Sequence, residues 1–118
     1  MTTFEGIITI QTKDNKENYK TTIYYNQDEK NIKYIEPDKT ATIFNYEQNI
    51  LKRDNDQMSL EFKFCEKEKT INSIIIKDLN KTMEFEIYTK KIIKEDNNII
   101  IIYEMNDSEF TYKIEKEK

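Results

Sequence analysis

The sequence predicts an all-β fold, a single antiparallel, up-and-down barrel of about eight to ten short strands. Three observations lead there. Apolar and polar residues alternate along most segments, as in TMEFEIYTKKII, where Met83, Phe85 and Ile87 face one way and Glu84, Glu86 and Tyr88 the other; a strand with one buried face reads like this. Turn-forming residues recur roughly every 8–12 residues, and no stretch carries the capped i, i+3, i+4, i+7 stripe of a helix. The connections are too short for parallel crossovers, so neighbouring strands pair antiparallel. An open sheet of that many strands would expose two long edges, which closure removes.

Each element follows in order. Residues 4–12 place Phe4, Gly6, Ile8 and Ile10 on one face, and the polar run KDNKEN turns the chain into a strand over 19–26. NQDEKN separates this from 31–36, and Pro37 with Asp38 makes the next turn, because proline has no N–H for a ladder. Strands over 40–46 and 49–53 are joined by a short link. After DND, Met58, Leu60, Phe62 and Phe64 alternate with Ser59, Glu61 and Lys63. Residues 66–69 are the best place for a helical turn. A β-branched run over 70–77 leads through Asp78, Leu79 and Asn80 into 82–93. Asp96, Asn97 and Asn98 turn the chain into 99–105, and Asn106 and Asp107 close a hairpin onto 109–115. Gly6 is the single glycine, so positive-φ turn positions fall to Asn15, Asn26, Asn80, Asn97 and Asn106, asparagine being the next most tolerant residue. Gly6 itself, on an apolar face, marks a bend or a close backbone approach.

At 118 residues the chain forms one domain, 1–118, long enough for a core without staples. Charged residues make up 36% and apolar residues 36%, but the apolar ones are mostly Ile, Phe and Tyr in alternation, which disordered chains lack. Split after Ser59, the halves hold 8 basic and 10 acidic, then 11 and 13, so each is at −2. Neither half is a basic handle, and nucleic acid is not an expected partner. The longest apolar run, Ile99 to Tyr103, is far short of the roughly 20 residues a membrane helix needs. With no signal-peptide pattern at the N-terminus and one cysteine, the expected setting is reducing and cytoplasmic, as a monomer or weak homodimer.

The chain has no histidine and no second glycine. Ser-His and Cys-His nucleophiles, the usual zinc sites and Gly-rich phosphate loops are therefore excluded. Glu84 and Glu86 read as a solvated outer face rather than a catalytic pair, Asp54 and Asp56 as a turn or a weak cation site, and Cys65 as an incidental thiol with no cationic partner. No enzyme, cofactor or metal is expected.

What remains is binding. Ile8, Ile10, Tyr34, Met58, Leu60, Phe62, Met83, Phe85, Ile87, Tyr103, Phe110 and Tyr112 form the expected inward set, which either fills the barrel or leaves room for one ligand. Arg53 ends a strand; at the surface it needs nothing, but turned inward it must pair, with Glu36 and a tyrosine hydroxyl the natural partners. The same Arg–Tyr grouping can hold a ligand carboxylate in its forked donor. The candidate ligand set is Tyr34, Glu36, Arg53, Phe62, Phe85, Tyr103 and Tyr112, for a small apolar or acidic ligand in the interior. The alternative is a filled barrel acting through its outer surface, by protein contact or self-association, with Ile100 and Ile102 as the exposed apolar patch.

The run YIEPDKTATIFNYEQNILKRD (residues 34–54), then MSLEFKF (58–64) and MEFEIYTKKI (83–92), resembles the YwiB-like family, small bacterial domains of unknown function grouped with the calycin barrels. The resemblance covers nearly the whole chain in order. It implies a single calycin-like barrel, related in shape to lipocalins and fatty-acid-binding proteins, and no assigned activity. Only Glu36 and Arg53 match as polar members of the family pattern. Where that pattern places glycines, after the Arg and before the IYT strand, this chain has Asp54 to Asp56 and Asn80 with Lys81. It also lacks the tryptophan and Gly-x-Trp opening of true lipocalins.

Overall fold

The computed structural model describes residues 2–95 and 98–117. Ten strands follow one another: β1 (Thr2–Gln11), β2 (Lys16–Asn26), β3 (Asn31–Ile35), β4 (Ala41–Asn45), β5 (Ile50–Asp54), β6 (Met58–Lys63), β7 (Lys69–Ile76), β8 (Lys81–Glu95), β9 (Asn98–Met105) and β10 (Ser108–Lys116). Each pairs antiparallel with its successor, and β1 pairs with β10 to close the barrel. The expected fold class is the observed one. Closure leaves no terminal sheet edge to template other chains.

The β8–β9 ladder shifts register between Thr89 and Lys91, and two other ladders stop short. β2 meets β3 only through Tyr24, Tyr25 and Asn26. Beyond that the two strands part, and the Thr21 hydroxyl bridges them by donating to the Ile35 carbonyl at 3.2 Å. Between β6 and β7 the ladder ends at Glu61 and Ser73; there Asn72 Oδ1 accepts from the Lys63 N–H at 2.6 Å in place of a strand partner.

The turns differ from the sequence expectation. Asn80 (φ 47°) and Asn106 (φ 53°) take the left-handed region as expected, but Asn15 and Asn26 do not, and Asn97 lies outside the described residues, as does Asp96. Asn26 contributes its side chain instead: Oδ1 accepts from the N–H groups of Asp28 and Glu29, and Asn45 does the same for Glu47 and Gln48. In both turns the strain falls on the last residue, Lys30 (φ 61°) and Asn49 (φ 60°). Residues 66–69 form no helical turn. Lys67 sits at φ 64°, Glu66 bridges in parallel to Thr89, and the Lys67 N–H donates to the Thr89 carbonyl at 2.6 Å. A neighbouring strand offers this segment more backbone partners than one isolated turn could.

Gly6 is the close approach that its position suggested. A Cβ there would lie 2.1 Å from Ile23 Cδ1 and 3.0 Å from the Glu115 carbonyl oxygen, so any side chain would have to displace the buried Ile23 tip and crowd that oxygen. Met83 departs from the expected inward set: it is 46% exposed, because it pairs with Ile74 close to the β7–β8 turn, at the rim. The rest of the core divides by height. Toward the end carrying the β2–β3, β4–β5 and β6–β7 turns, the buried aliphatic and phenyl side chains of Ile23, Ile32, Phe44, Ile99 and Ile114 make up the core. Toward the opposite end, which carries the β1–β2, β3–β4 and β5–β6 turns, polar groups enter the interior.

Candidate functional site

Strand register assembles this polar end. Tyr34 on β3 is the Cα partner of Thr42 on β4, and Thr42 is the partner of Arg53 on β5. Three inward side chains thus stand side by side, with Glu36 just beyond β3. Arg53 turns inward, and its fork is filled: Nε donates to Glu36 Oε2 at 2.7 Å and an Nη to Oε1 at 2.8 Å. The buried Thr42 hydroxyl donates to the same Oε2 at 2.7 Å. Across the barrel, the Tyr34 and Tyr112 hydroxyls hydrogen-bond to each other.

Tyr34, Glu36, Arg53, Phe62, Tyr103 and Tyr112, together with Ile10, Leu51 and Phe64, line one interior cavity of about 40 Å³. That is room for one water or a few, well below the roughly 300 Å³ and upward of drug-sized pockets. One wall is aromatic: Tyr103 lies between Phe64 and Phe110, at ring-centroid distances of 5.3 Å each, with Phe62 at 5.7 Å. Six of the seven expected ligand residues therefore meet at one place. Phe85 does not line the cavity; it packs edge-on against Phe62 at 5.4 Å and holds the wall from behind.

Several hydrogen-bond donors here are left without a protein acceptor among the described residues. Arg53 carries five N–H groups and gives two to Glu36, leaving three on a side chain that is a quarter exposed. The paired tyrosines have two hydroxyl hydrogens and use one between them. Tyr19, beside them, has a buried hydroxyl with no partner among the described residues. The one carboxylate, Glu36, already accepts three bonds.

The electrostatics follow from burial. Desolvation pushes the Tyr34 phenol well above its ordinary value, with Tyr112 and Glu36 adding to it. Burial likewise raises Tyr112 and Tyr19, and lifts Tyr103 to about 12. For Arg53 burial acts to lower the pKa, but the hydrogen bonds and charge of Glu36 prevail and hold the guanidinium above its usual range. All these tyrosines are neutral donors and Arg53 is a cation across the physiological range.

Sequence reasoning misses Thr42 and Tyr19. Tyr19 has a usable signal: it is the Cα partner of the inward Ile8, so the β1–β2 hairpin register alone places it inside. Thr42 has none, since an inward threonine looks like any strand residue. Elsewhere, Asp54 is engaged by Lys77 at 3.0 Å. Cys65 is exposed, and its thiol donates to Glu68 at 2.7 Å, which raises its pKa. A proton held in this way disfavours the nucleophilic thiolate.

Fold and site together define a closed ten-stranded antiparallel barrel with a polar, ion-paired end to its interior. The chain superposes on the crystal structure of the YwiB protein from Bacillus subtilis with a TM-score of 0.58, covering 98% of its own length and 91% of that chain, at 16% identity. A likeness at that identity shows the fold alone. No family model matches the chain, and no curated protein does either.

Proposed function

We propose that this protein is a small-molecule-binding barrel that receives one compact, acceptor-bearing ligand at the polar end of its interior, and that it binds rather than catalyses. The observation that carries the reading is the donor excess: Arg53, Tyr19 and the Tyr34–Tyr112 pair surround or adjoin the cavity with more N–H and O–H groups than its protein acceptors take up. An acceptor-bearing guest would take up these donors, and the buried Tyr19 hydroxyl is the costly one to leave unpaired. The cavity's size limits the guest to a few heavy atoms or to the head of a longer molecule. Within this reading the chain is a calycin-like relative of YwiB, supported by the superposition and by the 34–54 pattern with Glu36 and Arg53 in place.

The test is ligand recovery. The protein is purified from the cells that make it, without dialysis, then denatured, and the released small molecules are identified by mass spectrometry beside an Arg53→Met preparation. One acceptor-bearing compound near one per chain, missing from the variant, is the expected result; extracts that do not differ would overturn the reading.

A second reading has its own observation. On the outer face, Ile93, Ile100 and Ile102 floor an open groove edged by the β1–β2 turn at Lys13 and Asp14 and by Glu104 and Glu109. A protein partner or second copy seated there would use the barrel as a filled block. Sedimentation velocity on wild type and on Ile100→Lys/Ile102→Lys tests the second copy: concentration-dependent association lost in the variant supports it, and a monomer at all concentrations removes self-association.

A further inference from the structure

Arg53 and Glu36 are held in different ways. Arg53 belongs to β5, laddered on both sides, to Thr42 on β4 and Leu60 on β6. Glu36 lies outside both β3 and β4, in a turn closed by its own N–H to the Thr40 carbonyl at 2.9 Å and by Lys39 N–H to the Glu36 carbonyl at 2.8 Å. Lys39 holds φ 70° in that turn, and Pro37, Asp38 and Lys39 are all exposed. The cation is thus fixed to the wall, and its carboxylate hangs from a turn at the barrel mouth.

The geometry points to Glu36 as the resident occupant of a carboxylate site, displaced when a small monocarboxylate binds. This rests on the reading of the polar end as a ligand site and names the ligand class. An Arg fork accepts any carboxylate in the two-bond geometry that Glu36 now occupies. The Thr42 hydroxyl, which donates to Glu36 Oε2, turns to the incoming oxygen. Ile10, Leu51, Phe62 and Phe64 enclose a short apolar remainder. Charge decides between displacement and addition. A ligand seated beside Glu36 would bury a second anion against one cation, whereas exchange leaves the buried charge as it was. Exchange also adds the space vacated by the Glu36 carboxylate to a cavity that alone holds only a few waters. Glu36 moves out with its turn into solvent, and its competition weakens the apparent affinity of every ligand.

The experiment titrates sodium acetate, with sodium chloride at matched ionic strength as control, into isotope-labelled wild type and Glu36→Gln. It follows the Arg53 Nε–H signal and the Glu36 carboxyl carbon by NMR. Acetate is expected to shift Arg53 saturably where chloride does not, and to move the Glu36 carbon toward the value of a solvated carboxylate. Glu36→Gln, without the competing anion, is expected to bind at least about tenfold more tightly, a gap of about 1.4 kcal/mol. If acetate shifts Arg53 while the Glu36 carbon stays put and Gln binds no tighter, displacement is wrong and the ligand site stands. If Arg53 responds in neither protein, the carboxylate inference falls, and the molecules recovered from cells decide the broader reading on their own. Should Glu36→Gln fail to fold, the Glu36 carbon in the wild type still decides: movement with acetate supports displacement, and a fixed signal overturns it.

Discussion

The two ends of the barrel interior are built from the same strands and differ in kind. At one end Ile23, Phe44 and Ile114 are fully buried, with Ile32 and Ile99 nearly so, and among the described residues no charged side chain is buried with them. At the other, the same inward positions hold Tyr34, Thr42, Arg53 and Tyr112, with Glu36 hanging in from its turn. A barrel of this size has no structural need for an ion pair inside it. Burying one is often no better for stability than well-packed apolar residues in its place. On the proposed reading, the apolar end carries stability and the polar end carries binding.

That division predicts unequal losses. Phe44→Ala leaves a cavity in the apolar end and is expected to cost about 3–5 kcal/mol in urea unfolding; a loss under about 1 kcal/mol would show that this end is not the keystone. Glu36→Ala strands the Arg53 cation and is expected to cost about 2–4 kcal/mol, less than for a fully sealed pair, because a quarter of the Arg53 side chain remains exposed.

The polar end also has a pH signature. Burial holds Tyr34, Tyr103 and Tyr112 above the unfolded value of 10.0, so the folded chain keeps protons that the unfolded chain has lost. Their stabilising contribution is complete below pH 10 and declines as the pH rises toward and through the folded values, about 12 for Tyr103. Urea midpoints across this alkaline window are expected to fall less steeply in Tyr103→Phe than in wild type; parallel curves would contradict the assignment. The smallest effect lies in the β2–β3 turn, at the rim of the apolar end. Lys30 holds φ 61°, a conformation glycine adopts without strain, so Lys30→Gly is expected to raise stability by up to about 1 kcal/mol.

The two ends are unevenly legible in the sequence. The strands can be read because a half-buried strand has to alternate, and Met58, Leu60, Phe62 and Phe64 do so without exception. Arg53 and Glu36 can be read as a conditional pair, since an inward arginine needs a carboxylate and Glu36 shares a strand face with Tyr34. Their meeting depends on the registers that set Tyr34, Thr42 and Arg53 abreast, which periodicity does not encode. Lysine at positive φ carries no sequence signal, so Lys30, Lys39 and Lys67 are invisible. Residues 66–69 mislead because their local pattern suits a turn while an adjacent strand offers better partners.

The most direct test of the central claim is the urea stability of Glu36→Leu/Arg53→Met, which replaces the polar pair by apolar residues of similar size. If the pair is kept for binding rather than for folding, the double variant recovers most of what Glu36→Ala loses and lies within about 1–2 kcal/mol of wild type. A loss as large as that of Phe44→Ala would show that the ion pair holds the barrel together, and would contradict the division between the two ends.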